Sequence, residues 1–158
     1  MLLISGLEAD REAALRRCDQ AVTSGRAAEV FGAMCAALGG PADFVDRSAD
    51  YLDKAPAQRP VYTRGFLARV NTRAVGNLII ELGGGRKVLG EALDLSVGLS
   101  EVAPIGARLD ADRPLAVVHA GSEDAAARAE ARLLEACEIS AEAPPETPAI
   151  LEIIAGNR

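Results

Sequence analysis

An α/β (α+β) fold, with a helical segment over residues 1–57 followed by a hairpin-rich mixed unit over 58–158, is what this 158-residue sequence predicts. Three observations carry the prediction. Apolar residues recur with a helical period as far as Leu38 and with a period of two from Phe66. Between these regions lies a Pro- and Asp-containing stretch, Asp43–Pro60, that follows neither period. Cut at residues 57 and 100, the chain carries net charges of −3, +3 and −6, so only the middle part is basic.

In the first segment, Ser5-Gly6-Leu7-Glu8 has the spacing of a capping box, in which a hydroxyl and a carboxylate satisfy free N–H groups at a helix start. Leu7, Ala14, Leu15, Cys18 and Val22 then share one face of that helix. Ser24 is placed to cap a second helix, whose stripe of Ala27, Val30, Phe31, Met34, Cys35 and Leu38 ends at Gly39-Gly40-Pro41. The connector that follows has room for at most one short helix, around Phe44–Leu52, and the domain boundary is expected within it.

In the second segment, Phe66, Ala68 and Val70 alternate with Leu67 and Arg69, as on a half-buried strand. A helix starts near Asn71 or Thr72, presents Val75, Leu78, Ile79 and Leu82 to the core, and stops at Gly83-Gly84-Gly85. Leu93–Leu99 and Ala107–Leu109 are short apolar pieces separated by Pro104 and Gly106, and with the stronger strand Leu115–His119 they suit a hairpin. Ser122 caps an Ala-rich helix with Ala126, Ala129, Leu133 and Ala136 inside. A strand at 137–142 and a last strand at Ile150–Ile154, beyond Pro144, Pro145 and Pro148, complete the reading.

Composition excludes several function classes. With 17 basic against 23 acidic residues, net −6, and only three Phe, two Tyr and no Trp, the chain lacks the cationic footprint and the stacking rings of a nucleic-acid binder. Cys18, Cys35 and Cys137 are odd in number and widely spaced, neither a disulfide framework nor a zinc pattern, and fit a reducing, cytoplasmic setting. No run approaches the roughly 18 apolar residues that span a bilayer, and Met1-Leu2-Leu3-Ile4 has neither the basic flank nor the cleavage site of a targeting signal. No membrane partner is expected.

Among candidate sites, Gly83-Gly84-Gly85-Arg86-Lys87 sets glycines beside cations, as phosphate loops do. The order is reversed, however: such loops lead into a helix N-terminus, and here the helix comes first. A helix stop is therefore the primary reading, with a cleft-facing Arg86 as the functional one. His119, the one histidine, closes an apolar strand with no acid within a few residues to orient it. Cys35 lies on its helix's apolar stripe, and the acids between 123 and 146 read as a solvated face. Ile105–Leu115 has the rhythm of a biotinyl or lipoyl-like hairpin, but contains no lysine to modify. The only two, Lys54 and Lys87, lie elsewhere.

Six blocks in order carry a family resemblance: Gly25-Arg-Ala-Ala-Glu-Val-Phe-Gly-Ala-Met34, Gly39-Gly-Pro-Ala-Asp-Phe44, Asn71-Thr-Arg-Ala-Val-Gly76, Gly83-Gly-Gly-Arg86, Leu93-Asp-Leu-Ser-Val-Gly98 and Arg113-Pro-Leu-Ala-Val-Val-His-Ala120. On these the chain resembles the C-terminal part of the thymidine phosphorylases of the pyrimidine-nucleoside phosphorylase family. Asn71 stands where that pattern has Asp, an exchange a helix cap tolerates.

The resemblance implies that residues 1–57 are the end of the family's large α/β domain and 58–158 its hammerhead-like C-terminal α/β unit. It also implies a parent enzyme that cleaves thymidine with inorganic phosphate as co-substrate and no other cofactor, as a homodimer through a helical domain absent from this sequence. The family's phosphate- and pyrimidine-holding residues precede the matched region, so no catalytic, cofactor or metal position is carried over. The chain is then expected to be a fragment, Met1–Gly6 being the tail of an upstream helix. Gly83, Gly84, Gly85, Arg86, Ser96 and Gly98 are expected on the side facing the active-site cleft, at a closure interface. Alternatives from the same residues are a non-catalytic biotinyl/lipoyl-like binding module, a helical dimerisation module in 1–57, or the end of a related nucleoside or nucleotide phosphorylase.

Overall fold

A computed structural model describes residues 1–148 and 150. The chain divides into two compact units, Met1–Leu52 and Asp53–Arg158.

The first unit holds α1 (Arg11–Thr23), α2 (Arg26–Ala37) and α3 (Phe44–Tyr51). α1 begins at Asp10, not at the Ser5 box. The Asp10 carboxylate accepts from the Ala13 N–H at 2.8 Å, whereas the Ser5 hydroxyl donates backwards to the Leu2 carbonyl at 3.1 Å. Ser24 serves both helices: its N–H closes α1 on the Gln20 carbonyl and its hydroxyl accepts from the N–H of Arg26, the first residue of α2, at 3.4 Å, although Gly25 rather than Ser24 occupies the cap position. Phe31, Phe44 and Tyr51 form a chain of tilted rings with centroids 6.2 and 6.5 Å apart. The expected stripes are not buried within this unit. No residue of its helices is buried, Cys18 is exposed, and Val22 and Leu38 are 70% and 80% exposed. A stripe is buried only against a second apolar surface, and three helices of 8 to 13 residues do not provide one.

In the second unit the elements are β1 (Ala57–Val61), β2 (Gly65–Val70), α4 (Thr72–Leu82), β3 (Gly98–Ser100), β4 (Arg108–Leu109), β5 (Ala116–Ala120), α5 (Glu123–Ala136) and β6 (Cys137–Ser140). They make a mixed α/β unit with two antiparallel three-stranded sheets, ordered β1-β5-β3 and β4-β2-β6. β1 occupies what the sequence presents as connector. It is an edge strand, the position at which Pro60, with no N–H to give, is tolerated. Because β1 belongs to the sheet, the units divide at Leu52 and Asp53 rather than at residue 57.

Two further expectations change. None of the strand pairs joins consecutive strands: β3 and β5 share one sheet while β4, between them in sequence, pairs with β2 in the other. Of the pieces expected to form a hairpin within residues 93–119, the first and last do pair antiparallel as β3 and β5, but β4 between them joins the other sheet, so no two consecutive strands form a hairpin among the described residues. On β2, Leu67 is fully buried while Phe66 and Ala68 are half-buried. The β2–β6 register shifts between Leu67 and Arg69, and this irregularity lets Val70, three residues on, reach the same core. The expected strand at Ile150–Ile154 lies, apart from Ile150, outside the described residues.

The helices follow the sequence closely. Asn71 caps α4 by accepting from the Ala74 N–H at 3.1 Å, and Ser122 caps α5 by accepting from Ala125 at 3.2 Å. Ala126, Ala129, Leu133 and Ala136 are the buried residues of α5. Ala126, Ala129 and Leu133 join Val61, Leu67, Leu109, Leu115 and Val118 in one core that both sheets share. Arg59 on β1 donates to Glu130 at 3.0 Å and Glu123 at 3.3 Å, fastening α5 across the sheet, and Arg132 ties α5 to Glu81 of α4 at 3.1 Å. Such partly exposed pairs contribute little energy but set orientation. No helix among the described residues is long and apolar enough to cross a membrane.

Leu67→Ala should destabilise the second unit by about 2–5 kcal/mol, since a fully buried leucine leaves a cavity its neighbours only partly fill. Urea denaturation of the whole chain measures it. Residues 53–158 should unfold cooperatively by themselves, whereas 1–52 alone should show a gradual loss of helix signal without a midpoint.

Candidate functional site

The triple glycine ends α4 as a stop. Gly83 takes φ +106°, a left-handed conformation that a residue with a Cβ adopts only under strain, and its N–H turns back to the last helical carbonyls. The Gly84 N–H donates to the Ile79 carbonyl at 3.0 Å. Two donors that a phosphate loop would offer to an anion are thus spent on the helix itself. The next two glycines also lie against that helix: a Cβ on Gly84 would fall 2.9 Å from Cγ2 of Ile79, and one on Gly85 2.6 Å from Cγ1 of Ile80.

Beside the stop runs the segment 94–98. The Asp94 N–H donates to the Gly83 carbonyl at 3.0 Å, and a Cβ on Gly84 would also meet Cγ2 of Val97 at 3.5 Å. Asp94 folds this segment into a turn, its Oδ1 accepting from the Ser96 N–H at 2.9 Å and the Ser96 hydroxyl at 2.6 Å. These two bonds hold the Asp94 carboxyl below its ordinary value. Gly98 then opens β3 opposite His119 of β5. The structure therefore brings Gly83, Gly84, Ser96 and Gly98 into one neighbourhood. Asp94, its organiser, was not among the residues singled out above, although an Asp two places before a Ser is a recognisable turn signal.

Arg86 lies just outside that neighbourhood, in a loop of its own. Its Nε donates to the Glu91 carbonyl at 3.2 Å, while the Glu91 carboxylate accepts from the N–H groups of Lys87 at 2.7 Å and Val88 at 3.4 Å. Those backbone donors lower the Glu91 carboxyl's pKa. The terminal nitrogens of Arg86 make no hydrogen bond among the described residues, so its charge stays presented to solvent.

His119 has a partner that sequence distance concealed. Nε2 sits 2.7 Å from the hydroxyl of Ser100, 19 residues earlier, because β3 and β5 pair. No carboxylate hydrogen-bonds to this histidine among the described residues, so the pair lacks the orienting acid of a nucleophilic triad. Burial raises the pKa of the Cys137 thiol, the opposite of what a nucleophilic cysteine needs. No three His, Cys, Asp or Glu side chains converge as a metal site among the described residues. What the geometry offers is a small-residue surface with a turn fixed by Asp94 and a cation at its border.

Residues 66–140 match the family model of the pyrimidine nucleoside phosphorylase C-terminal domain. The match runs from β2 to β6 and includes every residue of this neighbourhood. β1, which precedes it, nonetheless contributes the buried Ala57 and Val61 to the same core.

The carboxylate of Asp94 provides a pH test. Because its folded pKa is lowered, the stability it contributes is present above the unfolded value of about 4 and is lost as pH falls through the lower folded value. The Ser96 amide resonance should titrate with a midpoint below about 4, and Asp94→Ala should abolish that titration and speed amide exchange at Ser96.

Proposed function

We propose that this chain, which carries the C-terminal domain of the pyrimidine nucleoside phosphorylases, is the C-terminal part of a thymidine phosphorylase and serves its domain closure. In the parent reaction inorganic phosphate attacks the anomeric carbon of thymidine and the glycosidic bond breaks, giving thymine and 2-deoxyribose 1-phosphate. The family's phosphate- and base-holding residues lie before the matched region. The parent's partners are accordingly a pyrimidine nucleoside and phosphate, with dimerisation through its helical domain.

The observation that carries this reading is the Gly83–Gly98 neighbourhood. Small residues are mounted on the core of the second unit; among the described residues no anion loop is built beside them, and the adjoining Ser100–His119 pair has no carboxylate to orient it. A surface of that kind is suited to pack against another domain and exclude water as it closes. Arg86 at the border adds positive charge that acts on a phosphate over a distance without binding it. Gly83, Gly84, Gly85, Arg86, Ser96 and Gly98 are assigned to this closure interface. A carrier role is disfavoured by the absence of lysine from Ile105–Leu115.

Purified, the 158-residue chain should release no thymine from thymidine and phosphate, and phosphate should leave its melting temperature unchanged. Thymine release that scales with its concentration and survives repurification would overturn the reading. In a complete enzyme ending in this domain, Arg86→Ala should lower turnover several-fold with stability intact, as for a contact formed only on closure. An unchanged rate would remove Arg86 from the interface.

A further inference from the structure

The sheet β4-β2-β6 has a feature that the closure role does not use. At one end of it, a recess of about 510 Å³ is lined by Arg64, Gly65, Phe66, Arg108 and Asp110, among others. A second recess of about 290 Å³ adjoins it through Arg64 and Asp110 and brings in Tyr62 and Thr63. Both lie outside the Gly83–Gly98 neighbourhood. The larger volume is within the usual range of small-molecule sites, about 300–1,000 Å³.

The strands fix what faces this recess. Phe66 pairs with Arg108 across β2 and β4, which places the two residues at the same level of the sheet, and both line the recess beside the fully buried Leu109. Gly65 takes φ +137°, and a Cβ there would fall 2.6 Å from Cγ2 of Ile139 and 2.7 Å from the Ser140 carbonyl. That backbone conformation, which residues with a Cβ rarely adopt, lets the start of β2 lie close against Ile139 and Ser140 of β6.

The charges are left available. Seven other arginines of the chain form ion pairs, but neither Arg64 nor Arg108 does so among the described residues. Asp110, the carboxylate at the rim, is instead engaged by its own turn, Oδ1 accepting from the N–H groups of Asp112 at 3.0 Å and Arg113 at 3.2 Å. Its other oxygen makes no hydrogen bond among the described residues. Two cations, a half-exposed aromatic face and one carboxylate acceptor thus border one recess.

We propose that this recess binds a nucleoside monophosphate. The phosphate takes charge-assisted hydrogen bonds from Arg64 and Arg108, whose planar forks match its oxygens. The base packs on Phe66, and a sugar hydroxyl donates to Asp110. Each of the three groups answers a different part of the ligand, so neither the nucleoside nor inorganic phosphate alone satisfies the site. The proposal is independent of the closure role and stands or falls separately.

Amide NMR titration of the whole 158-residue chain tests it, with uridine monophosphate as the probe and uridine and inorganic phosphate as separate controls. Saturable shifts at Gly65, Phe66 and Leu109 are expected with the monophosphate only. Combined Arg64→Ala and Arg108→Ala should weaken that binding by about tenfold or more, the loss expected for charged hydrogen bonds. Phe66→Leu should weaken it while leaving the spectrum of the remaining core in place. If the alanine pair disturbs folding, Arg64→Gln with Arg108→Gln gives the same comparison. An absence of saturable shifts, an equal response to inorganic phosphate, or undiminished binding by the folded double variant would each overturn the proposal.

Discussion

Alanine lines the seam where α5 meets sheet β1-β5-β3, and the rest of the second unit depends on that close approach. Ala57, Ala116 and Ala120 on the sheet and Ala126 and Ala129 on the helix are all buried. Side chains of one carbon let helix and sheet backbones come near, and interiors packed at native density do not absorb extra volume there without strain. β5 is the middle strand, held by β1 on one side and β3 on the other, so the sheet cannot move aside.

From that seam the remaining placements follow in order. α5 runs directly into β6, which pairs with β2 and so fixes the second sheet. The Asn71 N–H donates to the Ala136 carbonyl at 2.8 Å, setting the start of α4 by the end of α5. α4 delivers the glycine stop, Gly83 receives Asp94, and the segment Asp94–Gly98 feeds β3 back onto β5. The candidate closure surface is thus the far side of a loop of constraints that begins and ends at the same strand. A surface positioned in this way is fixed by backbone bonds at Gly83, Gly84 and Asp94 and by the β3–β5 pairing, the kind of support that holds a site in one geometry.

Local features of this fold were legible in the sequence. Both caps, Asn71 and Ser122, the buried positions of α5, and the glycine stop of α4 follow from short-range chemistry: a polar side chain within three residues of a free N–H, a 3.6-residue period, a left-handed cap. Most of the misread features depend on partners far away in sequence, with Ser5 the local exception. β1 reads as a linker because Pro60 breaks the pattern, and only its edge position explains it. The Leu67 side of β2 cannot be assigned without the register shift against β6. The Ser100–His119 pair needs the β3–β5 register, and Ser5 loses to Asp10 because its hydroxyl has a nearer acceptor behind it. The candidate site was half legible, since its glycines, Ser96 and Arg86 stand out, while Asp94 becomes important only once Gly83 is beside it.

Native-state hydrogen exchange on the chain, compared with Ala126→Leu, tests most directly whether one seam holds the unit together. The added side chain should lower the opening free energy by about 1–3 kcal/mol, the usual cost of overpacking. That loss should appear equally at the amides of Val118 in the first sheet, Leu67 in the second and Leu99 at the edge of the candidate closure surface. A loss confined to α5, with Leu67 and Leu99 as protected as before, would contradict the account.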